Sequence, residues 1–164
     1  MPTPATGLPA SVRRLIADSR ASGGPEIEFY DDLPPGELPG EVQSAVACIV
    51  EELLLNACRH SRSKNVLLGL ARDEDSVCVQ VQDWGVGFEP EKVEPQRLGL
   101  QGVRQLVQRL GGSVEIDSRP GMGTCIFVEV PLPDGSGPKS PRANEDQEER
   151  TVTLAGHRLD RRAR

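Results

Sequence analysis

Four short stretches of this chain carry residue types that can do chemistry together. In "VQDWGVGF" a strand-like pattern ends on Asp83, and Gly85 and Gly87 follow at alternate positions. An ionised carboxylate is an acceptor only, suited to an amino group such as the exocyclic nitrogen of adenine. The two glycines lack the Cβ that would hold a planar ring off the backbone. In "EELLLNACRHS" Glu52 and Asn56 stand at helical i,i+4 spacing, so they project from one side, one turn above another. An amide oxygen there can complete a magnesium shell, because Mg²⁺ takes hard oxygen ligands and usually keeps several waters. In "LGLQGVRQ" Gly99 and Gly102 precede a helix whose free amides make an anion site without net basic charge. In "RPGMGTCIFVEV" Gly121 and Gly123 make a turn and Thr124 starts a strand. Taken singly, each stretch also suits an ordinary role: a solvated helix edge, a glycine-rich surface turn, a helix start, a hairpin.

Elements on either side must position these residues. Val42, Val46, Ile49, Val50, Leu53 and Ala57 trace one face and predict a long helix from Glu41 to about Arg59. "NVLLGLARD" and "SVCVQVQD" flank the acidic turn "DED" and predict two strands, with Val77, Val79 and Val81 alternating with Cys78, Gln80 and Gln82. "LQGVRQLVQRLGG" predicts a second helix with Val103, Leu106, Val107 and Leu110 inward and a glycine pair as its stop. "SVEIDS" and "TCIFVEVPLP" predict a closing hairpin. Ahead of these, "PASVRRLIADSRAS" reads as a helix and "PEIEFYDD" as a short strand. The order mixes helices with hairpins rather than repeating βαβ units. It favours an α+β, two-layer sandwich: a mostly antiparallel sheet with helices on one face.

Composition narrows the function classes. The chain has 164 residues, room for one core and some spare tail, and a formal charge of −6. An acidic chain is a poor match for a nucleic-acid backbone or an anionic membrane, so neither is expected as a partner. No apolar run approaches the ~20 residues needed to span a bilayer, and the N-terminus lacks a signal-peptide pattern, so a cytoplasmic location is expected. Cys48, Cys58, Cys78 and Cys125 form no C-x-x-C pair and read as buried or half-buried free thiols. With two histidines in the chain, a Cys/His metal site is not expected. Residues 1–24 read as a helical lead-in, 25–133 as the domain, and the Pro/Gly/Ser-rich, then acidic stretch 134–164 as a disordered tail.

The order and spacing of the four stretches resemble the ATP-binding domain shared by histidine kinases, DNA gyrase, Hsp90 and the mismatch-repair MutL proteins, the GHKL or Bergerat fold. "EELLLNACRHS" looks like the N box, "DWGVGF" like the G1 box, and the stretch from "GLQGVRQ" to "GTCIFVEVPLP" like the G2 region. The sub-family resembled is the nitrate/nitrite-sensor type of bacterial sensor histidine kinase. The resemblance implies ATP and Mg²⁺ held between helices and a compact flexible lid. It implies Asn56 as the Mg²⁺ ligand, and Asp83 accepting from the adenine amino group with Gly85 and Gly87 lining the ring. Gly99 and Gly102 would let the lid wrap the phosphates, Arg59 and His60 would contact phosphate or nucleotide, and Thr124 would support the adenine end through water. Glu52 falls where relatives use a carboxylate to activate water or orient the acceptor.

The departures from the resembled pattern shape the expected function. A complete sensor kinase carries a dimerisation helix pair with a phosphoacceptor histidine ahead of this domain, whereas no histidine precedes the first expected strand here. His60 lies inside the N-box stretch and His157 in the tail, so neither looks like an acceptor. The sub-family's "R-E-R" on the lid helix is Arg104-Gln105-Leu106 in this chain. The expectation is therefore a catalytic ATP-binding domain, not a self-sufficient autokinase, acting on a separate histidine-containing dimerisation or phosphotransfer domain in a response-regulator pathway. The alternative is a nucleotide-gated regulator-binding protein or serine kinase like the anti-sigma factors of the same superfamily. A degenerate pocket that only supports the fold is a third possibility, against which the intact Asn56 and Asp83 argue.

Overall fold

The helical and alternating patterns fold in the expected order. The computed structural model describes residues 7–34, 38–73, 75–92, 99–133, 153–154 and 157–158. Helix α1 (Leu8–Ala21) leads to strand β1 (Glu26–Asp32), helix α2 (Gly40–His60), strands β2 (Asn65–Arg72) and β3 (Ser76–Asp83), helix α3 (Leu100–Arg109) and strands β4 (Ser113–Ser118) and β5 (Thr124–Pro131). Two short strands, β6 (Thr153–Leu154) and β7 (His157–Arg158), pair antiparallel with each other. The expected lid falls largely on residues 93–98 and the expected disordered tail on residues 134–164; apart from β6 and β7, both lie outside the described residues.

Local chemistry fixes where the helices start and stop. Pro9 sits in the first turn of α1, where its missing N–H costs no helical hydrogen bond. Leu8 and Val12 of α1 are buried in the same core as α2 and the sheet. The Arg13 guanidinium meets Asp31 at 3.1 Å and lies 5.5 Å from the Phe29 ring centre, which ties α1 to β1. In α2 Glu41 occupies the first turn, and Arg59 and His60 the last, the charge order that the helix dipole favours. Helix α3 ends on Leu110, followed by Gly111 at φ +74°. The Gly112 amide donates to Val107 O at 2.9 Å and the Gly111 amide to Gln108 O at 3.0 Å, a Schellman closure that the glycine pair makes possible.

The five main strands run in the order β1-β2-β3-β5-β4. The β1–β2 pair is parallel and the other three pairs are antiparallel. Leu68, Leu70, Val77, Val79 and Val128 of the sheet are fully buried in one core with Val46, Ile49 and Leu53 of α2. The alternation of β3 implies a second, more open face, yet Cys78 and Gln80 are buried as well. Strand β3 is central, and by register Gln80 sits between Gly69 and Phe127, a small and a large neighbour on that face. The Gln80 amide is satisfied there by Cys125 Sγ at 3.5 Å. For the site the decisive register is Asp83 opposite Thr124, at the end of the β3–β5 pair.

Candidate functional site

The end of β3 and the start of β5 meet the last two turns of α2 and the first turn of α3 around an open cleft. Leu53, Ala57, Val81 and Ile126 make an apolar floor from α2 and the sheet. Asn56, His60, Asp83, Gly87, Leu100 and Thr124 stand around it. An apolar cavity with a few convergent polar groups suits a small organic ligand with a planar, partly polar body.

At the sheet end of the cleft, Asp83 is 6% exposed. Its Oδ1 accepts the Gly85 N–H at 2.9 Å, and the carboxylate also accepts the Thr124 backbone N–H. Burial pushes the Asp83 carboxyl above its ordinary value, and the Gly85 and Thr124 amides pull it partly back. A desolvated acceptor lining a cleft gains more from a ligand N–H than a solvated one, because less bulk water competes for it.

The two glycines make a close approach of backbone to backbone. A Cβ on Gly85 would lie 1.9 Å from the Ser61 carbonyl oxygen. One on Gly87, where φ is +59°, would lie 1.9 Å from Arg119 O and 2.9 Å from Gly123 O. The room they make is for the protein's own backbone. Between them the Val86 N–H donates to Ser61 O at 2.7 Å, and Val86 O accepts from Gly121 N–H at 2.7 Å. The loop after Asp83 is thus stitched between the end of α2 and the β4–β5 turn, which holds the carboxylate in place. Gly87 lines the cleft and Gly85 does not.

At the helix end, Asn56 Nδ2 is buried with no hydrogen-bond partner among the described residues. An orphaned buried amide is costly, so it marks a place where a ligand group belongs. A buried N–H donor suits an anionic oxygen, and the amide oxygen of the same side chain suits a hard cation. Gly99 caps α3 at φ +62°, and a Cβ there would lie 2.7 Å from Glu52 Oε2. Gly99, Glu52 and Asn56 therefore come together. Gly102 lies inside α3 rather than ahead of it, and among the described residues nothing stands within 4 Å of where its Cβ would be. Arg59 is exposed on the last turn of α2 and does not line the cleft, whereas His60 does. Among the described residues no group of three or more His, Cys, Asp or Glu is placed to hold a metal ion. A cation here would rest on Asn56 and on oxygens the ligand brings, which fits magnesium's habit of sharing its shell with phosphate and water.

Two buried serines belong to the site and were not singled out from the sequence. Ser61 Oγ donates to Ala57 O at 2.6 Å and accepts from Ser63 N–H at 3.0 Å, closing the end of α2. Ser118 Oγ accepts from Phe88 N–H at 2.9 Å and bridges to Gly123 O and Thr124 Oγ1. The available signal was position: Ser61 closes the stretch around Asn56, and Ser118 directly precedes the glycine turn. Trp84, Val86 and Met122 are exposed on the two stitched turns, so the aromatic after Asp83 is not a core residue. Of the cysteines, Cys78 is buried and Cys58 and Cys125 half-buried as expected, but Cys48 is exposed on the outer side of α2.

With this geometry in hand, the comparisons are direct. Residues 41–134 match the family described as histidine kinase-, DNA gyrase B- and HSP90-like ATPase. The oxygen sensor histidine kinase NreB of Staphylococcus carnosus is 28% identical over 129 residues, 78% of this chain and 37% of that protein. The signal transduction histidine-protein kinase/phosphatase DegS of Bacillus subtilis is 31% identical over 130 residues, 76% of this chain and 34% of that one. The chain thus spans little more than a third of the curated relatives it matches. Among solved structures, the Erythrobacter litoralis EL346 blue-light activated histidine kinase superposes with a TM-score of 0.63 at 28% identity, covering 77% of this chain and 42% of that one. The mycobacterial sensor histidine kinase MprB shares the fold, with a TM-score of 0.58 at 23% identity over 77% of this chain and 95% of that one. The chain belongs to the histidine kinase-, DNA gyrase B- and HSP90-like ATPase family.

Proposed function

We propose that this chain is the catalytic, ATP-binding part of a sensor histidine kinase system, and that it passes the γ-phosphoryl of Mg-ATP to a histidine on a separate dimerisation or phosphotransfer domain. The observation that carries the reading is a desolvated carboxylate and an unpartnered buried amide lining one cleft. A desolvated carboxylate, Asp83, stands at one end and an orphaned buried amide, Asn56, at the other. The first suits an adenine amino group and the second suits phosphate and its cation. The apolar floor of Leu53, Ala57 and Ile126 would take the faces of the ring.

In this reading Asn56 holds Mg²⁺, and the α3 amides after Gly99 receive phosphate oxygens at the positive end of the helix. Magnesium, when bound, neutralises charge on the phosphate oxygens. His60 lies at the cleft and contacts nucleotide; Arg59, beside it, reaches phosphate from the exposed side. Glu52, held against Gly99, orients the incoming acceptor. Phosphoryl transfer asks mainly for positioning and charge stabilisation, and these residues supply both.

The test is incubation with γ-labelled Mg-ATP and a histidine-bearing dimerisation domain. The predicted product carries an acid-labile, alkali-stable phosphate on the partner. Acid-stable label would move the chain to the serine-kinase class, and a persistent blank with ATP bound would remove the transfer step from its function.

A further inference from the structure

Ser118 was given no role within the G2-like stretch, yet it makes three contacts at the Asp83 end of the cleft and is 7% exposed. Its Oγ is 2.9 Å from Phe88 N, 3.1 Å from Gly123 O and 2.8 Å from Thr124 Oγ1. A hydroxyl has one proton and two lone pairs, so the three contacts admit few arrangements. The Phe88 amide can only donate, and takes one lone pair. The Gly123 carbonyl can only accept, and Ser118 is the hydroxyl that reaches it. If Ser118 gave its proton to Thr124 instead, two oxygens would face each other at 3.1 Å with no proton between them. The arrangement that satisfies every contact has Ser118 donating to Gly123 O and the Thr124 hydroxyl donating to Ser118.

That assignment has a consequence for the cleft. With its proton committed to Ser118, Thr124 Oγ1 presents only lone pairs to the cavity it lines. Asp83, opposite it in register, is likewise an acceptor. We infer that Ser118 is a positioning residue for base selection: it fixes the Thr124 hydroxyl as an acceptor, so this end of the cleft takes a 6-amino purine and rejects a 6-oxo purine. The inference rests on the nucleotide reading above and adds its specificity. A 6-amino group brings two N–H donors to two acceptors. A 6-oxo purine brings lone pairs at O6 and one donor, the ring N1–H, which can meet at most one of the two acceptors, and the other, left buried without a donor, is penalised.

The experiment compares dissociation constants for ATP and inosine triphosphate in the native chain, Ser118→Ala and Ser118→Thr. In Ser118→Ala the Thr124 proton is released to rotate into the cleft. The ratio of the inosine triphosphate constant to the ATP constant should then fall ~10-fold, as the exchange of one hydrogen bond implies. Inosine triphosphate itself should bind tighter than to the native chain. Ser118→Thr keeps the hydroxyl and should keep the native ratio. Simple loosening of the turn would weaken both nucleotides alike and leave the ratio unchanged, which would overturn the inference. Should Ser118→Ala fail to fold, Thr124→Val tests the same polarity with Ser118 intact. ATP should weaken ~10-fold with inosine triphosphate within ~3-fold of native, and equal weakening of the two would overturn the inference. A native chain that binds both nucleotides equally would overturn it alone, whereas a native chain that binds neither would overturn the nucleotide reading and this inference with it.

Discussion

Asp83 joins the two demands made on this protein, folding and recognition, and they pull in opposite directions. Its carboxyl is raised by burial, so its contribution to stability is fully present below the ordinary carboxylate value and is lost as pH rises through the raised one. At neutral pH the ionised side chain is therefore a cost to the fold. Asp83→Asn should leave thermal stability at pH 7 equal to or above the native value, while ATP binding weakens by ~10- to 100-fold, the range for losing a hydrogen bond to a charged group. Calorimetry and a melting curve on one sample measure both. The same sign predicts that native ATP affinity falls on acidification, starting above the ordinary carboxylate value because the protonated carboxyl no longer accepts freely. An affinity flat down to that value would place the recognition elsewhere. The residue identities here were legible in the sequence, since Asp83, Asn56, His60 and Thr124 all reach the cleft. Ser118 was not, because a lone serine at a strand end has no pattern until the turn brings Phe88, Gly123 and Thr124 around its hydroxyl.

Elements carry a different lesson, about what glycine spacing means. Gly85 and Gly102 look alike in the sequence, each the neighbour of another glycine within three residues. The fold separates them: a Cβ on Gly85 would collide with a backbone carbonyl at 1.9 Å, and one on Gly102 would meet no described residue within 4 Å. Gly85→Ala should force the loop after Asp83 off the end of α2, losing stability and ATP binding together. Gly102→Ala should raise stability by ~0.5–1 kcal/mol, the usual gain for replacing helical glycine. It should also weaken ATP if phosphate uses that side of α3. Denaturant titration and nucleotide binding on the pair separate the two roles. The elements themselves were readable because α2, β3 and α3 have strong periodicity and clear stops, the Gly111–Gly112 pair above all. The steric purpose of Gly85 was hidden because its partner, Ser61, reaches it only after α2 and β3 have packed. Packing of α2 is also where the fold is most exposed to truncation. Ile49 is fully buried beneath the sheet, and Ile49→Ala should cost about 2–5 kcal/mol by chemical denaturation.

At the scale of the whole molecule, one core holds α1, α2, α3 and the inner face of the sheet. The outer face of the sheet is closed too, and a buried thiol there reports on it. In the folded chain Cys48 should react at once with a thiol reagent and Cys78, at 3% exposure, only on unfolding. Equal rates for the two would mean that the outer face of β3 opens freely. The α+β class followed from the order of helices and hairpins, while the parallel pairing of β1 with β2 did not, because it depends on α2 carrying the chain back across the sheet. No helix among the described residues is long and apolar enough to cross a membrane. What unites the scales is one claim, that the cleft is shaped for Mg-ATP. The most direct test is a calorimetric titration of the native chain with ATP, with and without Mg²⁺. Saturable binding that tightens when Mg²⁺ is present is the predicted result. Absence of saturable heat under both conditions would contradict the account, and leave Asp83 and Asn56 as parts of a scaffold.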